Sequence, residues 1–247
     1  MREKSAAASN PDAMSGATPR SHIVVLSGAG ISAESGIRTF RGGGGLWHDF
    51  RIEDVATPEA WQRDPERALG FYNVRRRQLY SVEPNAGHRA LAGLERDFPV
   101  TIITQNIDNL HERAGSSNIL HLHGALDKAR STADDALIYD LAGRDIRLGN
   151  TCELGSQLRP HVVWFGEMVP ELERAEEIVR HADVLIVVGT SFSVYPAANL
   201  AFLAPSHARK VLVNPEIPDT VGLDAFECIG EPAARALPRL AEELRKR

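Results

Sequence analysis

Several short polar stretches carry residue types suited to chemistry on a nucleotide, and each follows an apolar run. They are Gly28-Ala29-Gly30, Gln105-Asn106-Ile107-Asp108, His123-Gly124, Gly189-Thr190-Ser191 and Asn214-Pro215-Glu216. The first opens GAGISA (28–33), which fits the dinucleotide pattern G-x-G-x-x-G/A. In that pattern glycines let the backbone approach a pyrophosphate, and a helix N-terminus offers unpaired N–H groups. Arg38-Thr39-Phe40-Arg41 and the glycines at 42–45 cannot continue a helix, so a mobile basic loop is expected over whatever the first glycines bind. A tight turn with a surface loop would read the same way. His123 titrates near neutral pH and can serve as a base, although a histidine before glycine at a strand end is more often a turn residue. Asn106 and Asp108 could bind a ligand or close an Asx turn capping the next helix, and both roles are expected.

These stretches need elements to position them. Strands are expected at 22–26, 100–104, 118–122, 183–188, 210–213 and 226–229, with extended chain at 159–165. Helices are expected from Pro58, at 65–80, 86–96, 109–113, 171–181, 196–203 and 232–246. The alternation predicts an α/β fold, a mostly parallel sheet with helices on both faces. Ligands of such sheets bind beyond the carboxyl ends of the strands, so the polar tips should converge on one crevice. The acidic residue expected about twenty positions after the glycines finds only loop-like sequence at 49–54. Ribose contacts are therefore expected from Asn214 and Glu216 or from the 105–108 turn.

Composition narrows the function classes. The chain has 247 residues, 43% hydrophobic and 25% charged, enough to build a large core. A formal charge of −5 gives no basic footprint for nucleic acid. No apolar run approaches membrane-span length. Residues 1–20 read as a disordered leader without a secretory apolar core, and Met14 is an alternative start. The two cysteines, Cys152 and Cys228, fit a reducing cytoplasm rather than a disulfide framework.

GAGISAESGI, QNID continuing into NLHERAG, HG after a strand, VVWFGE, GTS and VNPE occur in the order found in sirtuins. From about residue 22 to 240 the chain resembles these NAD-dependent protein-lysine deacylases, with its bacterial CobB type most similar. GIRTFR stands where many members have GIPDFR. The resemblance implies a Rossmann-like NAD-binding domain from 21–124 and 159–247, a helical insert at about 42–85, and a small module at 125–158. It implies that Gly28, Ala29, Gly30, Ser32 and Glu34 line the pyrophosphate turn, with Phe40 and Arg41 covering the nicotinamide end. Gln105, Asn106, Ile107 and Asp108 would hold the nicotinamide ribose and carboxamide. Gly189, Thr190 and Ser191 would meet the phosphate and adenosine side, Asn214, Pro215 and Glu216 the adenosine ribose, and Pro232 the adenine. His123 would be the general base, with Asn106 beside it. Val163, Trp164, Phe165 and Gly166 would form the edge on which an acyl-lysine peptide lies as an added strand. The acyl group would pass to ADP-ribose, with acylated protein lysines as partners and no part for nucleic acid or membrane.

Two departures set finer expectations. Tyr72-x-x-Arg75 puts both side chains on one helical face. In the sirtuin branch that removes succinyl, malonyl or glutaryl groups, this pair binds the acyl carboxylate, and Ala56 matches a small residue that leaves room. The alternative is that Arg75, Arg76 and Arg77 make a solvated basic face. At the places of the family's zinc cysteines stand Ser131, Asp134, Gly149 and Cys152, so no zinc is expected. The module should then pack on Leu126, Leu137, Ile138, Tyr139, Ile146 and Leu148, with a hairpin over 136–149 turning near Gly143. Rival functions are ADP-ribosyl transfer or NAD hydrolysis, and a catalytically silent NAD-binding scaffold.

Overall fold

The computed structural model describes residues 21–39, 49–219 and 222–246. The expected leader, Met14, Phe40 and Arg41 lie outside the described residues. Six strands form one sheet in the order β3-β2-β1-β7-β8-β9, from β1 (Ile23–Ser27), β2 (Val100–Thr104), β3 (Ile119–His121), β7 (Val184–Val188), β8 (Arg209–Val213) and β9 (Glu227–Ile229). Every pairing in it is parallel. The order reverses at β1, so the crevice between the ends of β1 and β7 is the topological switch point, where such sheets place ligands.

Strands β1, β2 and β7 are buried at every residue, as a parallel sheet covered on both faces requires. Period-2 alternation splits them between two cores. Val24, Leu26, Ile103, Leu185 and Val187 pack with Ala175 and Val179 of α7 (Leu172–Arg180). Ile23, Val25, Ile102, Ile186 and Val188 pack with Leu91 and Leu94 of α5 (Ala86–Leu94) and with Leu237 and Leu240 of α8 (Ala233–Arg245). Each Val, Leu or Ile among them contributes about 1.5–3 kcal/mol by leaving water.

The segment between β1 and β2 supplies one wall of the crevice. Its helices among the described residues are α1 (Gly30–Ala33), α2 (Ile52–Val55), α3 (Pro58–Arg63), α4 (Pro65–Leu79) and α5. Thr57 and Asp64 cap α3 and α4 through Ala60 N–H and Arg67 N–H, each followed by proline at the first helical position. A further short helix, α6 (Leu110–Ala114), follows the 105–108 turn.

A second sheet, β5-β4-β6, is antiparallel and comprises β4 (Gly124–Ser131), β5 (Ile138–Asp140) and β6 (Leu158–Val162). It corrects the expected hairpin over 136–149: β5 pairs with β4, and residues 144–149 form no strand. Packing differs too, because Ile138 and Leu148 are exposed while Leu126, Ala129, Leu141 and Ile146 are buried. Leu69 of α4 joins Ala129, Leu141 and Ile146 in one cluster.

Arg76 is the largest correction. It is fully buried, donating from Nε to the Leu126 carbonyl (2.7 Å) and from Nη1 to Asn73 Oδ1 (2.6 Å). Asn73 in turn donates to the Ile146 carbonyl and accepts the Ile146 N–H. The arginine run is therefore no solvated face. Its middle member staples the second sheet to α4, and burial draws its pKa down to about 10. The expected helix at 196–203 is a 3-10 turn, Ala197–Phe202.

Candidate active site

The end of β1 and the end of β7 touch. A Cβ on Gly28 would stand 2.7 Å from the Gly189 carbonyl oxygen, and one on Gly30 would stand 2.6 Å from Gly189 Cα. Gly189 itself has φ +64, with its imagined Cβ 2.3 Å from Ile31 N. The glycines thus let two loops close on each other, which the pattern in the sequence did not reveal. Gly28 N–H donates to the Val188 carbonyl and Gly30 N–H to the Gly189 carbonyl. Helix α1 that follows is a single turn of four residues.

Over this crossing lies a cavity of about 460 Å³, within the range of small-molecule sites. The expected residues that line it are Gly28, Ala29, Gly30, Ala56, Tyr72, Gln105, Asn106, Ile107, His123, Val163, Trp164, Phe165, Gly166, Gly189, Thr190, Ser191, Asn214, Pro215 and Glu216. Glu167, Tyr195 and Thr39 line it as well without having been expected.

Other expected residues lie elsewhere, each for a local reason. Glu34 turns away from the cleft, and its carboxylate accepts the Ala234 N–H (2.7 Å) at the start of α8, where a negative charge is favoured. Pro232 is the residue capping that helix and does not line the cleft. Ser32 is fully buried behind the glycines and donates to Asp108 Oδ2 (2.9 Å). Asp108 Oδ1 accepts the Leu110 N–H (3.1 Å), the Asx turn expected there, and burial raises its pKa. Asp108 and Arg75 line a smaller adjoining cavity with Asn106 and Ile107. Arg75 does not reach the main cleft: its guanidinium lies 3.2 Å from the Phe71 ring centroid, and Nη1 donates to the Phe71 carbonyl (2.6 Å).

His123 sits between β3 and β4, its Nδ1 2.9 Å from the Gln105 carbonyl oxygen. A carbonyl only accepts, so Nδ1 carries the proton and Nε2 holds the lone pair. Burial lowers the His123 pKa, keeping the ring neutral and able to take a proton. The His123 carbonyl accepts the Val163 N–H (2.9 Å), which ties this histidine to the far wall of the cleft.

Asn106 is held from both sides. Its Nδ2 donates to the Gly28 carbonyl (3.2 Å), and its N–H donates to Thr104 Oγ1 (3.0 Å). Thr104 Oγ1 also accepts from Ser27 Oγ (2.9 Å), which lies 2.9 Å from His111 Nε2. His88 meets the His111 ring edge to face at 5.0 Å. Burial lowers the pKa of His88 to about 4 and of His111 to about 3, so both are neutral props. His111 lies on the helix expected at 109–113 and His88 on that expected at 86–96, and no local pattern marks a contact between side chains so far apart in sequence. His121, at the end of β3, pairs with Glu112 at 2.6 Å.

The zinc positions do not suit zinc. Ser131 Oγ lies 3.3 Å from Cys152 Sγ, Asp134 is exposed, and Gly149 has no side chain. Among the described residues no cluster of three or more histidine, cysteine or acidic side chains could hold a metal. No helix among them is long and apolar enough to cross a membrane.

Comparison with known proteins agrees with this geometry. The Sir2 family model matches residues 28–196. An NAD-dependent protein deacylase of Bacteroides thetaiotaomicron is 48% identical over 228 residues, spanning 90% of this chain and 97% of that one. One of Aggregatibacter actinomycetemcomitans is 53% identical over 192 residues, spanning 78% and 92%. A crystal structure of a Sir2 homologue in complex with NAD superposes with a TM-score of 0.82 at 41% identity, covering 91% of this chain and 90% of that one. With the glycine crossing, the 105–108 turn, the neutral histidine and the Trp164 wall in one cleft, the chain belongs to the Sir2 family.

Proposed function

We propose that this protein is an NAD-dependent protein-lysine deacylase that removes acetyl groups and also carboxylated acyl groups such as succinyl and malonyl. The observation that carries the reading is the His123 tautomer: a neutral base with Nε2 unprotonated, in the same cavity as the glycine crossing and Trp164. The relatives named as NAD-dependent protein deacylases support it.

The residues present fit NAD. The Gly28–Gly189 crossing leaves main chain at the cleft floor, and Ser191, Asn214 and Glu216 line its far end. NAD, when bound, supplies the nicotinamide–ribose bond to be broken and the ribose that receives the acyl group. Asn106, fixed by Gly28 and Thr104, orients the ribose and carboxamide end. His123 Nε2 accepts the ribose hydroxyl proton while Gln105 holds Nδ1–H. Trp164 and the 163–166 segment carry the acyl-lysine. An added peptide strand cannot use the N–H groups of Val163, Trp164 or Phe165, which already donate to the His123 carbonyl, Glu167 Oε2 and the Ala56 carbonyl.

Tyr72 and Ala56 face the acyl end of the cleft, and a carboxylate reaching Tyr72 draws Arg75 away from Phe71. Arg75 Nε, buried without a hydrogen-bond partner, is available for it. The free thiols of Cys152 and Cys228 fit a reducing, cytoplasmic setting. Incubation with NAD and acyl-lysine peptides, read by mass spectrometry, tests the reaction. O-acyl-ADP-ribose and free lysine are expected; ADP-ribosylated protein or unchanged NAD would overturn it.

A further inference from the structure

A buried cluster of two arginines on one glutamate lies beside the acyl wall without contributing to the chemistry above: Arg130 Nη2 lies 3.5 Å from Glu167 Oε2, and Arg159 binds the same carboxylate more closely. The Arg159 guanidinium stacks 3.2 Å from the Trp164 ring centroid. Its Nη1 and Nη2 donate to Glu167 Oε1 (2.6 Å) and Oε2 (3.1 Å), and Nη2 also donates to the Val162 carbonyl (3.0 Å). Glu167 Oε2 accepts the Trp164 main-chain N–H at 2.7 Å, and Glu167 N–H donates back to the Trp164 carbonyl. Arg159 is on β6, before the wall, and Glu167 is just beyond it, so the pair closes a ring around Trp164-Phe165-Gly166. The side chains are only 10% and 20% exposed.

We propose that Arg159, through Glu167 and the face of Trp164, is a positioning residue that presents the 163–166 wall to the acyl-lysine and thereby sets affinity for the peptide rather than for NAD. A planar fork is needed, because one guanidinium must stack on the indole and bond both carboxylate oxygens together. Lysine can neutralise Glu167 but can do neither of the other two tasks. Trp61, 5.6 Å from Trp164, leaves the indole in place as hydrophobic filling even when the clamp is lost. The clamp therefore governs the precision of the wall more than its existence. It adjoins the acyl end as well: burial raises the Tyr72 pKa, and the positive charges of Arg159 and Arg75 oppose that rise.

The proposal rests on the reading of 163–166 as the peptide wall, and the test separates the two. Steady-state constants for NAD and for an acetyl-lysine peptide are measured in Arg159→Met, Arg159→Lys, Glu167→Gln and Trp164→Ala, with thermal midpoints recorded alongside. Arg159→Met and Arg159→Lys should each raise the peptide KM roughly tenfold, the scale of a small misplacement of substrate. The NAD KM should stay within about twofold. Glu167→Gln, which keeps an acceptor for Trp164 N–H, should give a smaller rise. If Arg159→Met does not fold, the lysine and glutamine variants carry the test. Full rescue by lysine, or NAD and peptide KM moving together with a falling midpoint, would overturn the clamp. An unchanged peptide KM in the Arg159 variants with a raised one in Trp164→Ala would also overturn it. An unchanged peptide KM in Trp164→Ala as well would instead remove the peptide-wall reading itself.

Discussion

His123 Nδ1 donates to the Gln105 main-chain carbonyl across 2.9 Å, and that single bond decides which ring nitrogen carries the proton. The acceptor is backbone, so no side-chain substitution at 105 removes it, and the tautomer is built into the strand ends.

The pH profile follows. With His123 as the proposed base, catalysis needs its neutral form, and burial holds its pKa below the ordinary 6.5. Protonation therefore begins to remove activity only on the acid side of that value. A profile of kcat/KM from pH 5 to 8 should show its acid limb below pH 6.5; a limb above it would contradict the assignment. His123→Ala should lower the rate by about 10²–10⁴-fold, the usual contribution of a positioned base.

The glycine crossing makes a paired prediction. Gly28→Ala puts a methyl 2.7 Å from a main-chain oxygen that cannot rotate away. It should cost about 1–3 kcal/mol and raise the NAD KM. Gly70, exposed inside α4, would meet nothing within 4 Å. There alanine should instead stabilise by about 0.5–1 kcal/mol. Thermal denaturation of the two variants should shift in opposite directions.

What the sequence revealed and what it hid divide along contact range. The runs at 22–26, 100–104 and 183–188 form strands because their continuous apolar, β-branched character is local, and the tips after them had to meet once the sheet was parallel. His123 and Asn106 came with those tips. Glu34 looked like part of the glycine turn, yet its partner is Ala234, 200 residues away. Arg76 looked like one of three surface charges, and only the position of β4 makes it a core residue. The 136–149 hairpin failed for the same reason: β4 offered Ile138–Asp140 a longer neighbour than the chain after Gly143 could.

Acid should destabilise the fold through the histidine pair behind Asn106. His88 and His111 have folded pKa values of about 4 and about 3, against about 6.5 unfolded. Between those limits the unfolded chain binds protons that the native one refuses. Stability is thus full above pH 6.5 and falls as pH drops through the window, by up to about 1.4 kcal/mol per pH unit for each histidine. Urea titrations at pH 7 and 4.5 should show this loss. His111→Gln, which can keep the bond to Ser27, should show a shallower slope; an equal slope would remove His111 as a cause.

The proposed acyl preference makes its prediction at Arg75. Its release from Phe71 would give a charge-assisted bond to a succinyl carboxylate, a contribution of about 1.5–3 kcal/mol. Arg75→Met should therefore lower succinyl removal by about ten- to a hundredfold, while acetyl removal changes little. The comparison needs matched peptides that differ only in the acyl group. Equal losses on both would sink the specificity argument.

The second sheet should hold without metal. Ser131, Asp134, Gly149 and Cys152 offer one thiol between them, whereas Arg76 and Asn73 bind the sheet to α4 through the Leu126 carbonyl and the Ile146 main chain. A chelator should leave the thermal midpoint unchanged, and metal analysis should find no stoichiometric zinc. Arg76→Met should lower stability by roughly 1–3 kcal/mol, because the buried Leu126 carbonyl then lacks its donor. Bound zinc in a 1:1 ratio, or an Arg76 variant as stable as the parent, would mean that something other than this staple holds the module.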